Sequence, residues 1–282
     1  MSKPTALKIE TCKEISEFHA CEDLQLEIWG GTEREIIPYD IMLAMAKCGG
    51  TLIGAWDGAR LIGIALAFVA LQEATTHHYL HLLGVLPGYR SWNVGFELMI
   101  AERTFVIMQV LKSVTWTFDP LESVNAHLYF YKLGGISKFY MPDCYGAMPE
   151  ALNAGLCSDR LLVEWQLEAP DVVSLLDDNE HRKTRALSRD EDQLMHIPCL
   201  VRMIDNDFPK LWTNNHQLTS EKYRIDIPSD IQLMKRENFE QAKSWRFSVR
   251  EAFTLAFANG YIVQNYFRPT HNRTGCYVLI KT

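Results

Sequence analysis

Polar and apolar positions along the chain change period repeatedly, and the changes divide it into strands and helices. Strand patterns fall at Leu7–Thr11, Thr51–Trp56, Leu61–Leu71, His77–Val85, Val114–Phe118, Lys138–Pro142 and Arg160–Leu167. Helical patterns fall at Lys13–Trp29, Pro38–Lys47, about Gly95–Lys112 and Ser123–Leu133, and Asp57-Gly58 is a hairpin signal between two of the strands. The helix after Gly95 is apolar around most of its circumference (Phe96, Leu98, Met99, Phe105, Val106, Met108, Leu111), which predicts a crossover helix covered on both sides.

After Leu167 the pattern changes. Residues 168–192 are rich in charge and poor in aromatic side chains, including the D-D-N-E-H-R-K run, and predict a linker or a solvated helix. A strand at Tyr223–Ile227, a helix at Asn238–Asn259 closed by Gly260, and strands at Tyr261–Phe267 and Cys276–Lys281 follow. On that helix Trp245, Val249, Phe253 and Phe257 form a core stripe at four-residue spacing. Arg246 and Arg250 lie on the adjoining face, open to solvent, to ion pairs, or to a ligand carboxylate. The order strand, proline-containing loop, helix ending in glycine, strand, strand occurs twice, with Pro120 and Pro228 at like positions.

The richest local signal is V-L-P-G-Y-R-S-W-N-V-G, Val85–Gly95, where an apolar strand passes through a loop into a long helix. Free loop amides and the positive end of the helix dipole converge there, which suits an anion. Pro87, Gly88 and Gly95 allow a turn with close approach, and Arg90 can meet a phosphate. The two-residue period puts His77, Tyr79, His81, Leu83 and Val85 on one face of the preceding strand.

With Val85, Pro87, Arg90 and Gly95 in this spacing, the segment resembles the acyl-CoA signature of the GNAT acyltransferase superfamily. Asn93 stands where that family usually has its first glycine, and asparagine tolerates left-handed backbone. Ala126, Lys132 and Gly134 match a second family segment in which the usual tyrosine falls on Phe130, between Tyr129 and Tyr131. The resemblance covers roughly residues 6–168 and extends to a subgroup of long members.

It implies a GNAT-like mixed α/β fold: a central sheet flanked by helices in residues 1–168, a linker or solvated helix at 169–192, and a smaller α+β extension at 193–282, read also as a degenerate half-GNAT unit. It implies acetyl-CoA or another acyl-CoA as co-substrate, held by Leu83, Val85, Arg90, Ser91, Trp92, Asn93, Val94, Gly95 and Asn125. The fourth and fifth strands should splay, leaving a backbone donor for the thioester oxyanion near Leu83–Val85, with Gly84 permitting a bulge.

His81 is the candidate base for the acceptor amine, with Tyr79 and Glu73 behind it. Tyr129 and Tyr131 compete to protonate the departing thiolate. The expected activity is N-acyl transfer, acetyl, succinyl or similar, to a small-molecule amine such as an amino acid. The alternative is a non-catalytic acyl-CoA-binding or interaction protein of the same fold.

At 282 residues with 48% hydrophobic composition the chain can bury a substantial core. Its net charge of −7 argues against nucleic acid or an anionic membrane as partner. Seven cysteines without a C-x-x-C pair read as reduced thiols, no metal site is expected, and the N-terminus lacks a signal peptide's apolar region, so the expected location is the cytoplasm. The oligomeric state stays open, a homodimer included.

Overall fold

The computed structural model describes residues 4, 6–146, 155–177, 194, 196–203, 209–211, 218–268 and 274–282. The charged run predicted at 178–183 lies outside them. The chain clusters into two compact units, Met1–Trp116 with Pro149–Leu152, and Thr117–Met148 with Asn153–Thr282.

In the first unit β1 (Leu7–Thr11) is followed by α1 (Ile15–Trp29) and α2 (Tyr39–Lys47). Then come β2 (Thr51–Asp57), β3 (Arg60–Gln72) and β4 (Thr75–Val85), a 3-10 turn at Pro87–Trp92, α3 (Val94–Met108) and β5 (Ser113–Phe118), whose last two residues belong to the second unit. These strands lie in the order β1-β2-β3-β4-β5, antiparallel except for the parallel pair β4–β5 that α3 connects. A mixed sheet with a right-handed crossover demand of this kind needs a helix over one face.

Close packing shows which helix covers which face. A Cβ on Gly84 would come within 2.6 Å of the Trp29 ring on α1, and one on Gly63 within 3.3 Å of Leu98 on α3. Gly84 and Gly63 fall on opposite faces of the β3–β4 pair, so α1 and α3 cover opposite sides. The expectation that α3 is covered all round is corrected: Val94, Phe96, Leu98, Met99, Glu102 and Val106 are buried, whereas Met108 is 71% exposed. The helix also ends at Met108, short of Lys112, and Val110 follows in the left-handed region at φ 63°.

In the second unit α4 (Ser123–Ala126) runs into a π-helical segment, His127–Lys132, then β6 (Ile136–Met141), β7 (Arg160–Gln166) and α5 (Pro170–Asp177). After these come β8 (Cys199–Met203), β9 (Pro209–Leu211), β10 (Lys222–Pro228), α6 (Ile231–Glu237), α7 (Phe239–Ala258), β11 (Tyr261–Phe267) and β12 (Thr274–Lys281). The strand order is β7-β6-β11-β12-β10-β8-β9. The recurring strand–helix–strand–strand order thus brings its corresponding strands β6 and β11 side by side, antiparallel at Ser137 and Val263.

An aromatic core holds the two stretches together. Tyr277 lies 5.7 Å from Phe130, 5.2 Å from Phe253 and 5.0 Å from Tyr266 between ring centroids, and its hydroxyl donates to the Pro120 carbonyl at 2.6 Å. The described part of the expected linker, α5, buries Val172, Leu175 and Leu176, so it is a packed helix rather than a solvated one. No described helix is long and apolar enough to cross a membrane.

Candidate functional site

The site starts from a register change. On β4, Leu80 faces Ala67 and Leu82 faces Leu66, so His81 is one residue too many and forms a β-bulge. The expected bulge at Gly84 is thereby corrected: that glycine serves the close approach of Trp29. An inserted residue reverses the side-chain alternation beyond it. Tyr79 consequently shares a face with Phe68, Leu82 and Gly84, while Leu83 and Val85 share the face of His78 and Leu80. The single face predicted for His77, Tyr79, His81, Leu83 and Val85 does not exist.

Beyond the bulge β4 also leaves β5. The two strands pair at His78–Val114 and Tyr79–Thr115, and no pair is formed from Leu80 to Val85 among the described residues. This is the expected splay, and it turns the Leu83–Val85 backbone away from a strand neighbour.

The chain then enters the cradle. Leu86 N–H donates to Ile62 O at 2.9 Å, and the Tyr89 hydroxyl to Asp57 at 3.2 Å, which ties the 3-10 turn to the β2–β3 hairpin. Asn93 takes φ 63° and ψ 14°, the left-handed conformation for which asparagine is one of the few suitable residues. It caps α3 through its carbonyl, accepting from Phe96 N–H at 3.0 Å and Glu97 N–H at 3.2 Å. The amides of Val94 and Gly95 lie ahead of that first ladder bond, at the positive end of the helix dipole.

Arg90 is exposed, and its Nε donates to Val85 O at 3.0 Å, so the loop orients the guanidinium while its other nitrogens face outward. Ser91 is exposed, and the buried Trp92 Nε1 has no acceptor among the described residues. A loop with an orphaned side-chain N–H, helix-start amides ahead of the first ladder bond and an exposed arginine has donors suited to an anion such as a pyrophosphate.

His81 is exposed at the bulge, with its ring 6.1 Å from Phe68, which also packs on Tyr79 at 5.3 Å. Partial burial lowers its pKa below the ordinary histidine value, so the ring is neutral and able to accept a proton at pH 7. Glu73 lies in the β3–β4 turn at φ 48°, eight residues before His81 and outside β4.

The tyrosines and Asn125 belong to the second unit. Tyr129 is buried edge-on against Phe118 at 5.1 Å, and burial pushes its pKa far up, so its hydroxyl keeps its proton. Tyr131 is half-buried, stacked on His127 at 4.6 Å and set against Phe267 at 6.1 Å. π-Helical winding, with the Leu133 amide donating to Leu128 O at 3.1 Å, sends the two tyrosines in different directions. Asn125 is half-buried on α4.

Of the alternatives open to Arg246 and Arg250, the structure shows ion pairs. Arg246 is buried and donates to Asp119; Arg250 donates from Nε and Nη2 to Asp159 at 2.8 and 2.5 Å. Asp159 also accepts from the Tyr140 hydroxyl at 2.6 Å and the Asp143 amide at 3.0 Å. Burial alone would raise its pKa, but these donors outweigh burial and hold it below the usual carboxylate value. A cavity of about 460 Å³ is lined by residues that include Asp230, Leu233, Met234, Glu237 and Trp245, with no lysine or arginine in its wall among the described residues.

Together, the bulged and splayed β4, the turn and α3 form one continuous segment of a mixed α/β fold. No family model and no curated protein matches the chain. Solved structures similar to it include the ribosomal-protein-S18-alanine N-acetyltransferase from Escherichia coli, at 11% identity and TM-score 0.45, covering 58% of this chain and 96% of that one. A putative acetyltransferase from Salmonella typhimurium with acetyl-CoA is similar at 15% identity and TM-score 0.46, covering 59% and 99%. An acetyltransferase of the GNAT family from Streptococcus pneumoniae is similar at 16% and 0.46, covering 57% and 99%. The activities in these names are those proteins' own.

Proposed function

We propose that the chain is an acyl-CoA-dependent N-acyltransferase acting on a small-molecule amine such as an amino acid. The supporting observation is the course of one segment: β4 bulges at His81, leaves β5 after Tyr79, and delivers the turn and the helix-start amides of Val94 and Gly95 at its end. In this reading the loop and helix amides with Arg90 hold the pyrophosphate, and an unpaired backbone donor of Leu83–Val85 stabilises the thioester oxyanion. His81 takes the proton of the attacking amine.

Tyr129 and Tyr131 are the proposed donors to the departing thiolate, separable by phenylalanine replacement of each. Residues 193–282 are proposed to be a degenerate half-unit, supported by the recurring element order and the β6–β11 pairing.

The experiment is thiol release from acetyl-CoA and succinyl-CoA with a panel of amines and amino acids. Amine-dependent release supports the transferase. Binding of CoA without release for any amine supports the non-catalytic acyl-CoA-binding alternative, and absence of CoA binding rejects both.

A further inference from the structure

Along α3 the positions Val94, Leu98, Glu102 and Val106 recur every four residues, and all are fully buried. Three are apolar and one is a carboxylate. Glu102 Oε1 meets Nδ1 of the equally buried His78 on β4 at 2.8 Å, and its Oε2 accepts from the Thr51 hydroxyl at the start of β2. The other ring nitrogen of His78 meets Gln109 Oε1 at 2.8 Å. Gln109 Nε2 donates to Gly49 O at 2.8 Å, which fixes that amide's orientation. Both histidine nitrogens therefore meet side-chain oxygens, Glu102 Oε1 on one side and Gln109 Oε1 on the other.

A buried polar or ionic pair adds little stability over well-packed apolar side chains; its best-attested use is to specify register. That use fits here. An apolar stripe repeating every four residues can slide by one turn, about 5.4 Å, with little loss of packing, whereas one buried carboxylate with one buried partner fits in a single position. His78 is also one of the two β4 residues still paired with β5, three residues before the bulge.

We propose that His78 and Glu102 are positioning residues that set the axial register of α3 against β4, and so place the Val94 and Gly95 amides where the pyrophosphate binds. The proposal rests on the acyl-CoA reading. Its test compares the binding of CoA with that of pantetheine, which lacks the pyrophosphate, by calorimetry alongside thermal melts.

The apolar pair His78→Leu with Glu102→Leu should stay folded but bind CoA at least tenfold more weakly with unchanged pantetheine affinity. The pair His78→Gln with Glu102→Gln, which keeps a hydrogen bond, should retain CoA binding. If the leucine pair does not fold, Glu102→Leu alone carries the same expectation. A folded leucine variant that binds CoA like the wild type, or loses CoA and pantetheine equally, overturns the register role. A wild type that binds neither overturns the acyl-CoA reading itself, and the positioning role with it.

Discussion

The two units treat their polar groups in opposite ways. In the first, Leu80–Val85 form no pair with β5 among the described residues, the Val94 and Gly95 amides precede the first ladder bond of α3, Arg90 is exposed, and the buried His78 and Glu102 side chains bond to each other. In the second, the charges are closed on one another: Asp119 with Arg246, and Asp159 with Arg250 and Tyr140. A charge held by an opposite charge of the protein has less left for a ligand than an amide at a helix start, although Nε and Nη1 of Arg246 are buried with no hydrogen-bond partner among the described residues. The difference directs the search for the pyrophosphate site to the first unit and gives the second unit's arginines ion-pair roles.

Breaking the closed side of this comparison should have the largest effect. Arg246→Met leaves Asp119 without its partner and should cost about 3–5 kcal/mol, the usual range for removing one member of a buried pair. Urea unfolding measures it, and a loss below about 1 kcal/mol would show that the pair behaves like a surface ion pair. Asp159 sharpens the same point through pH. Its folded pKa lies below its unfolded value, so its stabilisation is present above the ordinary carboxylate value and is lost as pH falls through the folded one. Asp159→Asn should flatten that part of the acid-stability profile.

On the open side, His81→Gln should lower turnover by about 10²-fold if the ring is the base. Because burial lowers its pKa, the acidic limb of the wild-type profile should lie below 6.5 and vanish in the variant. An unchanged limb would transfer the role to water or another group. The smallest effect concerns backbone alone: Val110 is a β-branched residue at φ 63° and 84% exposed, so Val110→Gly should stabilise the protein by about 1 kcal/mol. A lower melting temperature would show that its side chain matters more than its strain.

Much of this was legible along the chain because it is local. The edges of β1, the Asp57-Gly58 hairpin and the left-handed Asn93 each follow from a few neighbouring residues. The bulge at His81 was not, because register belongs to two strands at once, and the alternation of β4 alone reads straight through it. The pairing of Arg246 and Arg250 with Asp119 and Asp159 spans 127 and 91 residues, which helix spacing cannot reveal. Short elements such as β9 and α6 carry too few residues for a period to show. Glu102 broke the apolar stripe of α3 visibly, yet its meaning required His78 on another element.

The central claim is that the β4–turn–α3 segment holds the pyrophosphate of an acyl-CoA, and Gly95→Val tests it most directly by adding bulk beside the helix-start amides. Titration of CoA into the wild type and this variant, with the fold of each checked by its melt, should show a loss of affinity greater than tenfold, above about 1.4 kcal/mol. Equal affinity in the two folded proteins, or no CoA binding by the wild type, would contradict it.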